Sequence, residues 1–310
     1  MKSLSFFEKA ENLPKNELIS AEVIKNFIAE KYEITFPFEC VLIGEEGERG
    51  YNDHYLIKGE NFRYVFRVYL NGKYYAPELE NFQFELDLLE FVFSQGVPVS
   101  YPITQKQGGT MSVIQTNVGL RACALFSYAE GKPIEEDTDP TPTQCFELGK
   151  AIASFHLAAD SFQSQHHRNH LNEDYLVKLP LRFIEANWSE EQKAELPELA
   201  MVDELLQHFV QLKKESNNYG IIHGDINTGN FHFTDDNQIT LFDFDYCAYG
   251  WRSYDLVLAE ELNEEVRKSL LDGYQSVRSL SVDELESISL LYHLREIWDW
   301  GDELAIDLVR

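Results

Sequence analysis

The segment Ile221-Ile222-His223-Gly224-Asp225-Ile226-Asn227-Thr228-Gly229-Asn230 sets a carboxylate and a side-chain amide five residues apart on one tight turn. Leu241-Phe242-Asp243-Phe244-Asp245 adds a carboxylate thirteen residues after that amide, at the end of an apolar run. These residue types at this spacing fit phosphoryl transfer. A carboxylate within reach of a hydroxyl accepts its proton as the oxygen attacks phosphorus. An amide oxygen and a second carboxylate are hard ligands suited to magnesium held against nucleotide phosphates. Asp225 is the candidate base, Asn230 acts beside it, and Asn230 with Asp243 forms the candidate metal pair. His223 is expected to brace the turn. A polar turn between two buried strands would explain any one of these residues; all of them at this separation favour chemistry.

Nucleotide phosphates also call for a fixed cation. Tyr64-Val65-Phe66-Arg67 has the form of a strand that ends on one, and Glu85 follows eighteen residues later in a helical stretch. In protein kinases a strand lysine pairs with a helix glutamate in this way. An arginine keeps the charge and adds a bidentate fork, so Arg67 and Glu85 are the candidate clamp. Gly44, Gly47 and Gly50 recur every third residue. Such a turn can offer backbone N–H groups to phosphate, with Gly47 and Gly50 as contacts. It can equally be a hairpin whose glutamates repel phosphate, and the sequence leaves both open.

The elements that must position these residues are read from periodicity. Residues 17–32 have a helical apolar period. Phe38, Cys40 and Leu42 alternate as in a strand, with further strands at 54–58 and 64–69. Helix 80–93 presents Phe82, Leu86, Leu89 and Phe93 on one face, with Glu85 on the next stripe. Strands near 111–115 and 122–127 follow, and 127–133 has the composition of a linker. Helices are expected at 143–159 and 196–216 and through the last sixty residues; 161–175 reads as a polar loop, and its His166, His167 and His170 lack the partners of a zinc site. The fold class is α+β: an N-terminal lobe over 1–127 with an antiparallel sheet and helices, a hinge at 128–133, and a mainly helical C-terminal lobe over 134–310.

Composition narrows the partners. Lys and Arg number 26 against 53 Asp and Glu, a net charge of -27. Nucleic acid and anionic membrane are excluded by repulsion, whereas a cationic substrate is compatible. Cys40, Cys123, Cys145 and Cys247 form no metal or redox spacing and read as free thiols. The N-terminus has no signal-peptide pattern and no stretch reaches transmembrane length, so a cytoplasmic location is expected. The oligomeric state is not encoded in any of these features.

On the residues quoted, residues 36–260 resemble the aminoglycoside phosphotransferase and choline kinase-like family, small-molecule kinases with a bilobal protein-kinase-like fold. The strongest segment is 221–258. Asp-Phe-Asp-Tyr at 243–246 with Tyr249-Gly250-Trp251-Arg252 is most similar to the homoserine kinase type II and stress-response kinase branch. The resemblance implies ATP, with GTP as an alternative donor, and Mg2+. It implies a hinge at Ser127, Tyr128 and Ala129 whose backbone holds adenine, and an Asp255 that braces the catalytic loop. Leu148 to His156 is similar to the helix after the hinge. Asp245 stands where protein kinases have glycine and adds a carboxylate near the metal.

The family's acceptor lies between the catalytic loop and the C-terminal helices. Residues 255–310 hold 14 Asp and Glu against 5 Lys and Arg. Trp298-Asp299-Trp300-Gly301-Asp302-Glu303 mixes aromatic faces with carboxylates, so Trp298, Asp299 and Asp302, with Asp245, are candidate contacts for a cationic small-molecule hydroxyl acceptor. The alternative is a final amphipathic helix with Trp298 in the core. Rival functions are a stress-response type Ser/Thr protein kinase on the same residues, a non-catalytic nucleotide-binding module, and a metal-dependent phosphoesterase, which needs more convergent ligands than His223, Asp225 and Asp243.

Overall fold

Ser20 sets the start of the first helix. Its hydroxyl accepts the Val23 N–H at 3.4 Å and satisfies one of the donors a helix end leaves open. Helix α1 (Ala21–Lys31) therefore begins later than the apolar period suggests, while Leu18 and Ile19 still pack against the core without being helical. The computed structural model describes residues 14–44, 52–134, 138, 140–194 and 197–310. Gly47 and Gly50, expected at phosphate, lie outside the described residues.

Strands β1 (Glu39–Leu42), β2 (Asn52–Lys58), β3 (Arg63–Tyr69), β4 (Ser112–Thr116) and β5 (Gly119–Ser127) form one antiparallel sheet in the order β1-β2-β3-β5-β4. The three early strands and the two later ones join through β3 and β5, from Tyr64 opposite Ser127 to Val68 opposite Cys123. Side chains alternate across a strand, so β3 serves two faces. Phe66 and Val68 join Ile24, Ile28, Tyr32, Tyr55 and Leu125 in a buried cluster. Arg67 and Tyr69 point the other way, toward helix α2 (Leu79–Ser94). On α2, Phe82 stacks 4.4 Å from the Tyr69 ring. Phe93, read as part of the same face, is 43% exposed.

The second half opens with helix α3 (Pro142–Ala159), started by a reciprocal Thr141–Gln144 capping box with proline in the first turn. A π-turn (Asp174–Lys178) leads into α4 (Leu179–Asn187), beyond the polar loop expected at 161–175. Short α5 (Glu190–Ala194) and α6 (Pro197–Phe209) follow. Helix α6 stops before 216 because its apolar face ends: Phe209 is buried against Trp251, and Val210 is 62% exposed. Two small antiparallel pairs come next, β6 (Tyr219–Ile222) with β9 (Ala248–Trp251), and β7 (Phe231–Phe233) with β8 (Ile239–Leu241). 3-10 helices at Phe244–Tyr246 and Arg252–Glu260 precede α7 (Glu264–Gln275) and α8 (Val282–Asp307).

The chain divides into two compact units. One comprises residues up to Glu90, Ser100–Tyr128 and Ile306–Arg310; the other comprises Phe91–Val99 and Ala129–Ala305. All four cysteines are free. No helix of the described residues is long and apolar enough to cross a membrane.

In the second unit α3 and α7 touch backbone to backbone. A Cβ on Gly149 would fall inside contact distance of the Leu270 carbonyl, and one on Gly273 inside that of Phe146. Neither neighbour can rotate away, since both are backbone atoms. Gly149→Ala must therefore push α3 from α7, and it is expected to cost about 1–3 kcal/mol. The urea midpoint of the variant checks this.

Candidate active site

In the first unit, Arg67 and Glu85 form a buried ion pair, Arg67 Nη1 to Glu85 Oε1 at 2.9 Å, with Glu85 fully enclosed. The pair is held on both sides. Tyr69 donates its hydroxyl to Glu85 Oε2 at 3.0 Å, and Arg67 Nε donates to His54 Nε2 at 3.0 Å. The guanidinium also lies 4.9 Å from the Phe126 ring centre. A buried charge survives when paired and hydrogen-bonded, and these contacts fix the orientation of the Arg67 guanidinium. His54 and Tyr69 were invisible as partners in the sequence; the signal was register, since Arg67 stands opposite His54 across the sheet.

In the second unit, strand β6 delivers residues 223–230 into a loop that wraps on itself. Asn230 Nδ2 donates to Asp225 Oδ2 at 2.7 Å and to the Asp225 carbonyl at 2.8 Å. Asn227 Nδ2 donates to Asp225 Oδ1 at 3.0 Å. Arg295 Nη2, from α8, reaches the same Oδ1 at 2.9 Å. Burial pushes the Asp225 carboxyl up from its ordinary value; Arg295 opposes this, and the nearby Asp243 adds to it.

Asp243 comes beside this loop through the β7–β8 pair. The Phe242 N–H donates to the Asn230 carbonyl at 2.9 Å, one position beyond the Phe231–Leu241 pairing. Asp243 takes a left-handed backbone, φ 62°, which is costly for a residue with a side chain and is concentrated at functional sites. With the Asn230 NH2 turned to Asp225, its amide oxygen is left to face elsewhere. An amide oxygen and a carboxylate are the hard donors a magnesium-like ion takes alongside phosphates and water, so Asn230 and Asp243 fit such an ion. Among the described residues no cluster of three or more His, Cys, Asp or Glu could hold a metal by itself.

Asp255 lies behind the loop, wholly buried. Its Oδ2 accepts the His223 N–H at 2.6 Å and its Oδ1 accepts the Gly224 N–H at 2.9 Å. His156 Nε2 donates to Oδ2 at 3.0 Å, and His156 Nδ1 accepts from the Tyr274 hydroxyl at 2.9 Å. Burial pushes the Asp255 carboxyl up, but the hydrogen bond and charge of His156 and the Gly224 N–H outweigh it and hold it below the usual range. The His223 ring bridges the Asp225 N–H, 3.2 Å from Nδ1, and the Phe242 carbonyl, 3.0 Å from Nε2, and lies 4.1 Å from the Phe244 ring. His223 thus ties Asp225 to the segment that leads from β8 to Asp243.

Residues 47–287 match the family described as the phosphotransferase enzyme family. The chain belongs to that family. The homoserine kinase of Neisseria meningitidis is 30% identical over 248 residues, covering 75% of this phosphotransferase and 73% of that protein. The amicoumacin kinase hAmiN, solved with AMP-PNP, Ca2+ and Ami, is similar with a TM-score of 0.73 at 21% identity, covering 91% of this chain and 85% of its own. A microcompartment-associated aminopropanol kinase has a TM-score of 0.71 at 19% identity, with 93% and 94% covered. The phosphotransferase shares their protein-kinase-like fold, and its family moves phosphate to hydroxyl groups.

Several residues expected at ligands have other places in this phosphotransferase. Trp298 is 4% exposed and meets the Tyr246 ring edge-on at 4.7 Å. Asp302 is buried and accepts the Tyr246 hydroxyl. Asp245 is buried too, its carbonyl bonded by Arg168. Trp298 and Asp302 lie on the face of α8 that turns to Tyr246, and Asp245 is buried next to Tyr246 in the short helix Phe244–Tyr246. Asp299 keeps 42% of its side chain accessible and pairs with Arg295 Nε at 3.4 Å. Burial of the carboxyl, with Asp225 and Glu296, pushes Asp299 up to about 7 against the pull of Arg295. Ser127 is spent in the sheet: its N–H donates to the Tyr101 carbonyl, its hydroxyl accepts the Tyr101 N–H, and its carbonyl accepts the Ser100 hydroxyl. His232 Nδ1 sits 2.9 Å from the Ala129 carbonyl, and the Arg63 guanidinium lies 4.3 Å from the Tyr128 ring centre.

Asn227 and Arg295 are the contacts of Asp225 that the motif did not announce. Arg295 had one signal: it is the single Lys or Arg between Arg278 and Arg310, in an acidic helix.

Burial holds His156 below its ordinary value despite Asp255. Below about pH 6.5 the unfolded chain binds a proton there that the folded chain refuses, so stability is full above that pH and is lost as pH falls. The urea midpoint is expected to drop from about pH 7 to about pH 5, and His156→Gln is expected to flatten that drop.

Proposed function

We propose that this phosphotransferase moves the γ-phosphate of ATP, with Mg2+, to the hydroxyl of a small amino alcohol or amino sugar, with Asp225 as the base. The observation that carries the reading is the hydrogen bonding of Asp225. An ionised carboxylate offers about four lone-pair positions. Asn227 and Arg295 occupy Oδ1, and Asn230 takes one position on Oδ2. One position on Oδ2 is left, and it suits an acceptor hydroxyl. As the hydroxyl oxygen bonds to the γ-phosphorus, its proton passes to Oδ2, and the bond from that phosphorus to the departing ADP oxygen breaks. Asn230 and Asp243 would hold the metal, which when bound offsets charge on the phosphates. Arg67, steered by Glu85, is the candidate phosphate contact of the first unit, and the Tyr128 backbone is the candidate contact for the base of the nucleotide. GTP is the alternative donor.

An amine on the acceptor is supported by a cluster of acids beside Asp225. Glu198 and Glu261 both raise the Glu296 carboxyl after burial does, and Asp225 and Glu296 both raise that of Asp299. Such a field favours a cation. Homoserine and aminopropanol, the acceptors in the names of two similar proteins, each pair a hydroxyl with an amine.

Asp225→Asn keeps the shape of the loop and removes the proton acceptor. It is expected to lower kcat by at least about 10²-fold, in line with general-base contributions, while ATP still raises the melting temperature. Turnover within a few-fold of wild type, measured by a coupled ADP assay over a panel of homoserine, aminopropanol, choline and amino sugars, would remove Asp225 as base. Labelling of proteins in an extract without turnover of any small molecule would instead make the acceptor a protein.

Two carboxylates separate acceptor binding from packing. Glu296→Gln is expected to raise the acceptor KM several-fold with kcat nearly unchanged. Asp302→Asn is expected to cost about 1–3 kcal/mol through its buried bond with Tyr246 and to leave KM unmoved. Steady-state kinetics beside urea denaturation distinguishes them.

A further inference from the structure

Arg295 lies 8% exposed on α8 and spends its guanidinium on three acceptors. Nη2 donates to Asp225 Oδ1 at 2.9 Å, Nη1 donates to the Ile226 carbonyl at 3.0 Å, and Nε faces Asp299 Oδ2 at 3.4 Å. Burial works against its charge, and Asp299 and Asp225 outweigh that and hold it firmly protonated. Tyr254, 3% exposed, is buried within the electrostatic reach of Arg295, Asp299 and Asp225.

The loop fixes Asp225 from within through Asn227 and Asn230, both on the same turn. Those bonds move with the turn, so they cannot set the carboxylate against the rest of the unit. Asp255 anchors the backbone at 223 and 224, one residue short of the base. Arg295 is the contact that ties the Asp225 side chain, and the carbonyl after it, to a separate helix. Its rigid planar fork can hold a side-chain oxygen and a carbonyl oxygen at once, which a lysine point charge cannot.

We propose that Arg295 is the positioning residue of the base: its fork, anchored by Asp299, orients the Asp225 carboxylate so that the open position on Oδ2 meets the acceptor hydroxyl. This rests on Asp225 being the base. Arg295 takes up no proton and touches no reacting atom; Oδ2 receives the hydroxyl proton, and Arg295 keeps Oδ1 from turning into its place. A misplacement of about 1 Å in such a group costs on the order of 10²-fold in rate.

The test uses the full chain with ATP and homoserine, and the slower hydrolysis of ATP, with water as acceptor, if homoserine is not taken. Arg295→Ala is expected to lose about 100-fold in kcat, with KM for ATP and for the acceptor within about twofold. Guanidinium ion, added below the concentration that begins to unfold the protein, is expected to restore part of that loss in Arg295→Ala and none in Asp225→Asn. Arg295→Lys, which keeps the charge and the fold, is expected to remain at least about tenfold slow. A folded Arg295→Ala or Arg295→Lys with kcat within about threefold of wild type overturns the proposal, as does a loss confined to acceptor KM. Should Arg295→Ala fail to fold, Arg295→Lys decides alone. An active Asp225→Asn defeats the base reading itself, whereas a dead Asp225→Asn beside an active Arg295 variant defeats only the positioning role.

Discussion

The site in the second unit depends on one buried carboxylate. After β6 ends, the chain must turn with no ladder partner for the N–H groups of His223 and Gly224. Asp255 accepts both, and His156 supplies a third donor to the same carboxylate. The turn also needs glycine: Gly224 has φ +84°, and a Cβ there would collide with the Tyr246 carbonyl. An isolated charge at full burial would be very costly, so Asp255 holds its place only while all its donors do. His156 in turn is held by Tyr274, whose hydroxyl accepts from Arg278 at 2.9 Å. The donors of Asp255 therefore trace back to α3 and α7, and the close approach of those helices at Gly149 and Gly273 becomes a condition for the geometry of a loop outside both. This is how a packing contact far from the chemistry can govern it.

The same residue type does opposite work at Asp255 and Asp225, and environment decides which. Asp255 is surrounded by fixed donors, two of them backbone N–H groups, and is held below the usual carboxylate range despite burial. Asp225 is partly open, and burial wins there against Arg295, helped by Asp243. A carboxylate whose lone pairs are all spent on rigid donors is a bracket. One that keeps an accessible position and an upward shift can take a proton. Spacing singles out Asp225 and the family resemblance singles out Asp255, and the two differ in what surrounds them.

What the sequence disclosed follows from how local each constraint is. The run from His223 to Asp243 was legible because the chemistry needs those side chains on one turn and one short hairpin, all inside 21 positions. Arg67 and Glu85 were legible because strand alternation and helical period each fix a face. Arg295 was not, because 70 residues separate it from Asp225 and only the path of α8 brings them together. The burial of Trp298 and Asp302 against Tyr246 was not legible for the same reason. Helical spacing sorts Arg295 with Asp299 and Trp298 with Asp302, but which stripe meets Asp225 and which meets Tyr246 is decided by the partner surfaces. Ser127 was read correctly as lying at the end of a strand, yet its backbone is consumed by residues 100 and 101. The start of α1 and the helix at 179–187 were missed because a cap and a π-turn outrank apolar period locally.

A net charge of -27 opposes a nucleotide at long range, but nearer charges govern a site. Charges in solvent are screened within about 8–10 Å at ordinary ionic strength, so the -27 total is felt by an approaching polyanion but is not the field at a given atom. Arg67 and Arg295 are each enclosed, each tied to a carboxylate, and each aimed by that tie. Pairing lowers the net charge but fixes the direction in which each guanidinium points. A freely moving lysine on an open surface would bring more charge and less orientation. Fixed direction of this kind does not depend on net charge, so an acidic protein can supply it wherever a carboxylate partner holds an arginine in position.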